Sequence, residues 1–151
     1  MNKTFRRTAL VATATVAASV VNAALFAPTA SATENTWVKN LETGLCITAD
    51  GGSSLKPADD CRFGDRSQLW DRRGSNIVKA YTNQCLDSNS DGDVYYLECN
   101  GGDYQKWTYP GNGLVRNVAT GRYLGVEPGY PWVVATTGVP TQHTWQFFGG
   151  E

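Results

Sequence analysis

The chain has 151 residues, 18% of them charged, and 13 Lys and Arg stand against 14 Asp and Glu, for a net charge of −1 at pH 7. Its basic residues are scattered, and a polyanion needs a positive face that neutralises phosphates, so nucleic-acid partners are excluded. Sixteen Gly and six Pro punctuate the sequence at short intervals, which permits short strands and works against long helices.

Lys3, Arg6 and Arg7 precede an apolar run from Ala9 to Phe26, and Ala30-Ser31-Ala32 supplies a small-x-small cleavage site. This pattern predicts a secretory signal peptide over residues 1–32, with no second apolar span to serve as a membrane anchor. Arg6-Arg7 raises the twin-arginine route, but Thr8 and Ala9 do not continue that motif, so general secretory export is expected. Residues 33–151 then have the length of one domain, and the expected location is extracellular. Removing the leader takes three of the 13 basic residues and none of the 14 acidic ones, so the mature chain is more acidic.

After Ala32 the sequence repeats. Trp70, Trp107 and Trp145 stand at near-equal intervals, defining three repeats of roughly 37–40 residues. Val38-Lys39-Asn40, Val78-Lys79-Ala80 and Val115-Arg116-Asn117 occupy matching places. The turns Thr43-Gly44, Thr82-Asn83 and Thr120-Gly121 follow, and then the short strand cores Leu45-Cys46-Ile47, Gln84-Cys85-Leu86 and Arg122-Tyr123-Leu124. A propeller of similar period needs about four blades to close. Three units of about four strands each predict a threefold all-β barrel.

The middle repeat is the clearest. Cys85-Leu86-Asp87 leads into the turn Ser88-Asn89-Ser90-Asp91-Gly92-Asp93, and Val94-Tyr95-Tyr96-Leu97-Glu98-Cys99 runs back, which reads as a hairpin. The repeat pairs Cys46 with Cys61 and Cys85 with Cys99, a choice that four cysteines alone leave open among three connectivities. A zinc site is the rival reading, weakened by the lack of Cys-x-x-Cys and by a single histidine without a ligand neighbour. The same turn also fits a calcium-loop pattern through Asp87, Asn89, Asp91, Asp93 and Glu98, with Gly92 for the sharp bend. No helices flank it, and a hairpin would carry Glu98 away from the turn, so no metal or cofactor is favoured.

Gln68-Leu69-Trp70 and Gln105-Lys106-Trp107, with the paired cysteines, resemble the Gln-x-Trp repeats of ricin B-type lectins. The third copy departs, with His143-Thr144-Trp145 where Gln-x-Trp belongs. The resemblance spans nearly all of residues 33–151 and implies a β-trefoil. The tryptophans are expected in a shared core, and Gln68, Gln105 and His143 in ties to loop backbone. In that family sugar is held by an Asp two residues after the first cysteine, an aromatic residue two before the second, and an Asn just before the Gln.

The middle repeat keeps Asp87 but has Leu97 and Tyr104 at the other two positions, with Tyr95 and Tyr96 as replacement stacking faces. The first repeat has Thr48 in the Asp position, Asp50 two residues on, and Asp59 in the aromatic position. The third has Gly125 for the Asp, with Glu127, Tyr130 and Trp132 close by. The expected carbohydrate-binding set is Asp87, Tyr95, Tyr96, Tyr104 and Gln105. The expected function is a secreted, non-catalytic lectin that binds a carbohydrate or polysaccharide. The alternative is a trefoil that binds an extracellular protein, as inhibitor or subunit, with decayed sugar sites. Catalysis has little support: Asp59-Asp60 are adjacent and point oppositely on a strand, and no nucleophile elbow or zinc-protease motif is present.

Overall fold

A computed structural model describes residues 33–138 and 142–150. The expected leader, residues 1–32, lies outside the described residues. Short strands follow one another as the turn chemistry predicts: β1 (Thr33–Asn40), β2 (Leu45–Ala49), β3 (Leu55–Asp60) and β4 (Trp70–Arg73). The second repeat continues with β5 (Asn76–Lys79), β6 (Gln84–Ser88), β7 (Val94–Glu98) and β8 (Trp107–Gly111). The third adds β9 (Leu114–Asn117), β10 (Tyr123–Val126), β11 (Val133–Thr136) and β12 (Trp145–Phe148). Among the described residues no helix is long and apolar enough to cross a membrane.

Six strands make the barrel. β1 pairs with β12 and β4, β4 with β5, and β8 with β9. Two backbone bonds join the remaining seams: Trp107 N donates to Ser75 O at 2.7 Å and Trp145 N to Gly113 O at 2.8 Å. The other six strands form three hairpins, β2–β3, β6–β7 and β10–β11. Each joins the barrel through one register pair: Lys39 with Cys46, Val78 with Cys85, and Arg116 with Tyr123. Closing the sheet into a barrel removes the unpaired edges that short strands would otherwise expose.

The threefold relation extends to side-chain atoms. The indole Nε1 of Trp70 donates to Ile47 O at 3.1 Å, that of Trp107 to Leu86 O at 3.0 Å, and that of Trp145 to Leu124 O at 2.9 Å. All three rings are buried beside Val38, Ile47, Ile77, Leu86, Val115 and Leu124. Each ring thus fills the core and satisfies a hairpin carbonyl, since a buried indole N–H left alone is costly. The disulfides are Cys46–Cys61 and Cys85–Cys99, with Cα atoms 5.2 and 5.0 Å apart. β-Trefoil architecture, core tryptophans and disulfide pairing therefore stand as the sequence predicts.

One internal difference is informative. Asn40 Oδ1 and Asn117 Oδ1 accept from Thr43 N and Thr120 N at 3.0 and 3.1 Å, tying the turn that follows each strand. Ala80 cannot do this in the middle repeat. There Lys79 Nζ donates to the carbonyls of Arg66 and Leu69, and burial pushes its ammonium below the usual lysine range.

Candidate functional site

The middle hairpin is clamped at both ends. At its tip, Asn89 Oδ1 accepts from Asp91 N at 3.0 Å, Gly92 N at 2.9 Å and Asp93 N at 3.0 Å. Asn89 Nδ2 donates to Asp93 Oδ2 at 2.8 Å, so one amide organises the whole reversal. Gly92 has φ of 100°, and a Cβ there would come within 2.3 Å of Ala135 O, so only glycine lets the tip dock on β11. At the base, Cys85–Cys99 bridges the strand ends.

Between the clamps, Asp87 pairs with Tyr95 in the strand register. A depression of 370 Å³ opens over them, lined by Asp87, Asn89, Tyr95, Leu97, Asn100 and Tyr104 among others. Asp87 is 4% exposed and forms part of its wall, whereas Tyr104 is 47% exposed. Burial raises the Tyr95 phenol above its usual range, and the Asp87 carboxylate beside it, which accepts its hydrogen bond, adds to the shift. Asn100 Oδ1 accepts from Gly102 N at 2.8 Å, which holds the amide in place. A carboxylate acceptor, two phenols and an amide around one small depression suit a ligand that shows hydroxyls and an apolar ring face together.

Two expected contacts are corrected. Tyr96 is 1% exposed because it alternates with Tyr95 and points to the core. Its hydroxyl donates to Asp50 Oδ1 at 3.1 Å and accepts from Gly51 N at 3.1 Å, and its ring meets Trp70 edge-on at 5.9 Å. Gln105 is fully buried: Nε2 donates to Glu98 O at 3.1 Å and Oε1 accepts from Asn100 N at 2.8 Å. Gln105 holds the backbone of Asn100, a residue of the lining, whereas Tyr96 is turned to the first repeat. Asn100, which the sequence did not single out, takes a place in its lining.

The five calcium-pattern residues do not converge. Glu98 lies five residues beyond Asp93 along extended β7, about 16 Å at 3.3 Å per residue. Its carboxylate accepts instead from Asn83 Nδ2 at 2.6 Å, and Asn89 Oδ1 already serves three backbone donors. Among the described residues no group of three or more His, Cys, Asp or Glu is placed to hold a metal ion.

The matching places in the other repeats are also depressions, of 600 Å³ in the first and 280 Å³ in the third, but their lining differs. In the first, Thr48 accepts from Gln68 Nε2 at 3.0 Å and is buried. Arg62 joins Asp59 and Asp65 in ion pairs across the opening, and Asp50 turns to backbone N–H groups of its own hairpin. The backbone donor of Gly52, first among these, holds the Asp50 carboxyl below its usual range. In the third, a Cβ on Gly125 would lie 2.4 Å from the His143 ring, so the imidazole occupies the room that an Asp side chain needs. His143 Nε2 meets Thr136 Oγ1 at 3.0 Å. The loss of the Asp and the change from Gln to His are thus one event in space.

Comparison with known proteins agrees with this fold. The family model described as a ricin-type beta-trefoil lectin domain matches residues 34–144. Alpha-galactosidase A of Aspergillus niger is 36% identical over 88 residues, which cover 55% of this chain and 15% of the enzyme. The chain therefore spans only a small part of that relative's length. A non-toxic homologue of type II RIPs from Momordica charantia, solved in complex with α-methyl-D-galactoside, superposes with a TM-score of 0.66 at 18% identity, covering 76% of this chain and 47% of its own. SeviL bound to asialo-GM1 saccharide gives 0.59 at 18% identity, covering 77% and 97%. At these identities the likeness to the solved structures is one of fold.

Proposed function

The chain belongs to the ricin-type β-trefoil lectin family, and on that premise we propose that it is a secreted, non-catalytic carbohydrate-binding protein whose sugar site is the middle-repeat depression. The observation that carries the reading is the Asp87–Tyr95 pair. Asp87 stands where the family's sugar-binding Asp belongs, its carboxylate lines an open depression, and Tyr95 and Tyr104 flank it. At the matching position the first and third repeats have Thr48 and Gly125 instead, and the carboxylates that line the first-repeat depression, Asp59 and Asp65, are paired with Arg62.

The test is a screen of glycans and insoluble polysaccharides with wild type and Asp87→Asn. Asparagine keeps the shape and removes a charged acceptor worth roughly 1.5–3 kcal/mol, so affinity falls about tenfold or more. The loss is the same with calcium or with chelator, because the carboxylate acts directly on hydroxyls. Unchanged retention by the variant contradicts the assignment. Export is tested separately: the secreted form begins at Thr33, and intact-mass measurement of culture medium checks it.

A second reading keeps the fold and replaces sugar with a protein ligand. Leu97 in the aromatic position and the replaced Asp positions of the other repeats, Thr48 and Gly125, favour it. Pull-down of a partner unaffected by Asp87→Asn, together with no glycan retained by wild type, moves it to first place.

A further inference from the structure

The loop between β10 and β11 presents an aromatic ring that the middle-repeat site does not use. Trp132 is 46% exposed although indole is costly to leave in water. Its loop is firmly held. Glu127 N donates to Trp132 O at 2.9 Å, Tyr130 N donates to Glu127 O at 3.2 Å, and Ala58 N of the first repeat donates to Pro131 O. Pro128 and Pro131 fix two further backbone angles. Trp132 is therefore placed before any ligand arrives, which lowers the entropy cost of binding.

Trp132 is not among the residues that line the third-repeat depression at His143. It lines a second depression of 410 Å³ between the middle and third hairpins, with Tyr95, Asp93, Glu127 and Ser54. Tyr95 lines both this depression and the one at Asp87, so the two adjoin across a single residue. Asp93 commits Oδ2 to Asn89 and keeps Oδ1, and Glu127 forms no ion pair among the described residues. Neither depression is lined by Lys, Arg or His.

We propose that the Trp132 depression is a second subsite for the same glycan, so that the protein binds neutral chains of two or more sugar units laid across Tyr95. The inference rests on the sugar site at Asp87. The indole gives a flat face for the apolar side of a pyranose, and Asp93 and Glu127 accept from its hydroxyls. Three carboxylates along the path, with Arg122 the one cation beside Asp93 and Glu127 among the described residues, leave a negative balance that selects against uronic or sialylated chains by like-charge repulsion.

The test uses an array of glucose-, galactose-, mannose- and xylose-based oligosaccharides from one to six units, with glucuronic and sialylated probes beside them. Wild type binds its preferred neutral series more tightly beyond one unit. Trp132→Ala removes that increment, about fivefold to tenfold, while single-ring affinity stays within twofold. Trp132→Phe restores part of it, and the urea midpoint of both variants matches wild type because the ring leaves no core cavity. The proposal is overturned if the increment survives Trp132→Ala, if single rings bind as tightly as longer chains, or if acidic chains bind best. If Asp87→Asn abolishes binding and Trp132→Ala changes nothing, the first site stands and the second falls. If wild type retains no glycan, both fall.

Discussion

Replacing Gln105 with alanine separates a supporting role from a ligand-binding one. The side chain is fully buried, and its amide satisfies Glu98 O and Asn100 N, the two ends of the bend that follows β7. Alanine leaves one acceptor and one donor without a partner, each costing about 1–3 kcal/mol when water cannot reach it. Both bonds are only partly buried, so water recovers some of that loss and the expected destabilisation is about 2–4 kcal/mol. Urea unfolding followed by tryptophan fluorescence measures it, with glycan affinity measured well below the midpoint. The variant loses stability, and its affinity falls only as far as the Asn100 rim loosens. A stability change near zero with complete loss of glycan binding refutes the argument and makes the Gln105 amide a direct ligand contact.

Three other outcomes follow from the same packing. Gly125→Ala drives a Cβ into the His143 ring and destabilises by about 1–3 kcal/mol, and His143→Ala in the same chain relieves that clash, as paired melting curves check. Replacing Cys85 and Cys99 together costs roughly 2–5 kcal/mol and weakens glycan binding, because the base of the hairpin is released; denaturant titration reads the first and affinity the second. Burial pushes the Tyr109 phenol up to about 12, with Arg72 stacked over its ring at 3.6 Å opposing the shift. The folded pKa lies above the unfolded value near 10, so this contribution is intact below pH 10 and is lost as pH rises toward 12. Tyr109→Phe flattens stability across that window in urea midpoints measured from pH 9 to 12.

Much of the fold was legible because each repeat states it again. Trp70, Trp107 and Trp145 mark one core position, and two repeats carry a cysteine pair at similar spacing. Even the departures carried information, since His143 and Gly125 are complementary once brought together. The site was less legible because it depends on register and on contacts between repeats. Tyr95 and Tyr96 look equivalent in the sequence, but Asp87 sits opposite Tyr95, and the strand alternation sends Tyr96 to Asp50 of the first repeat. Strand alternation puts Asp87 and Tyr95 on one face and Tyr96 on the other and could have separated the two tyrosines. The cysteine spacing alone does not give the register, since Cys85 pairs with Leu97. The calcium pattern misled because it counts residues, whereas an extended strand moves Glu98 away from the turn. No local signal could show that Trp132 of the third hairpin and Tyr95 of the second share one depression.

The most direct measurement of the central claim is a two-dimensional amide NMR titration of the mature chain with its best glycan from the screen. The account predicts that the largest shifts fall on Asp87, Tyr95, Asn100 and Tyr104, and that Asp87→Asn strongly reduces them at the same subsaturating glycan concentration while the rest of the spectrum is preserved. Shifts centred instead on Thr48 and Asp59, on Gly125 and His143, or on the barrel strands contradict it.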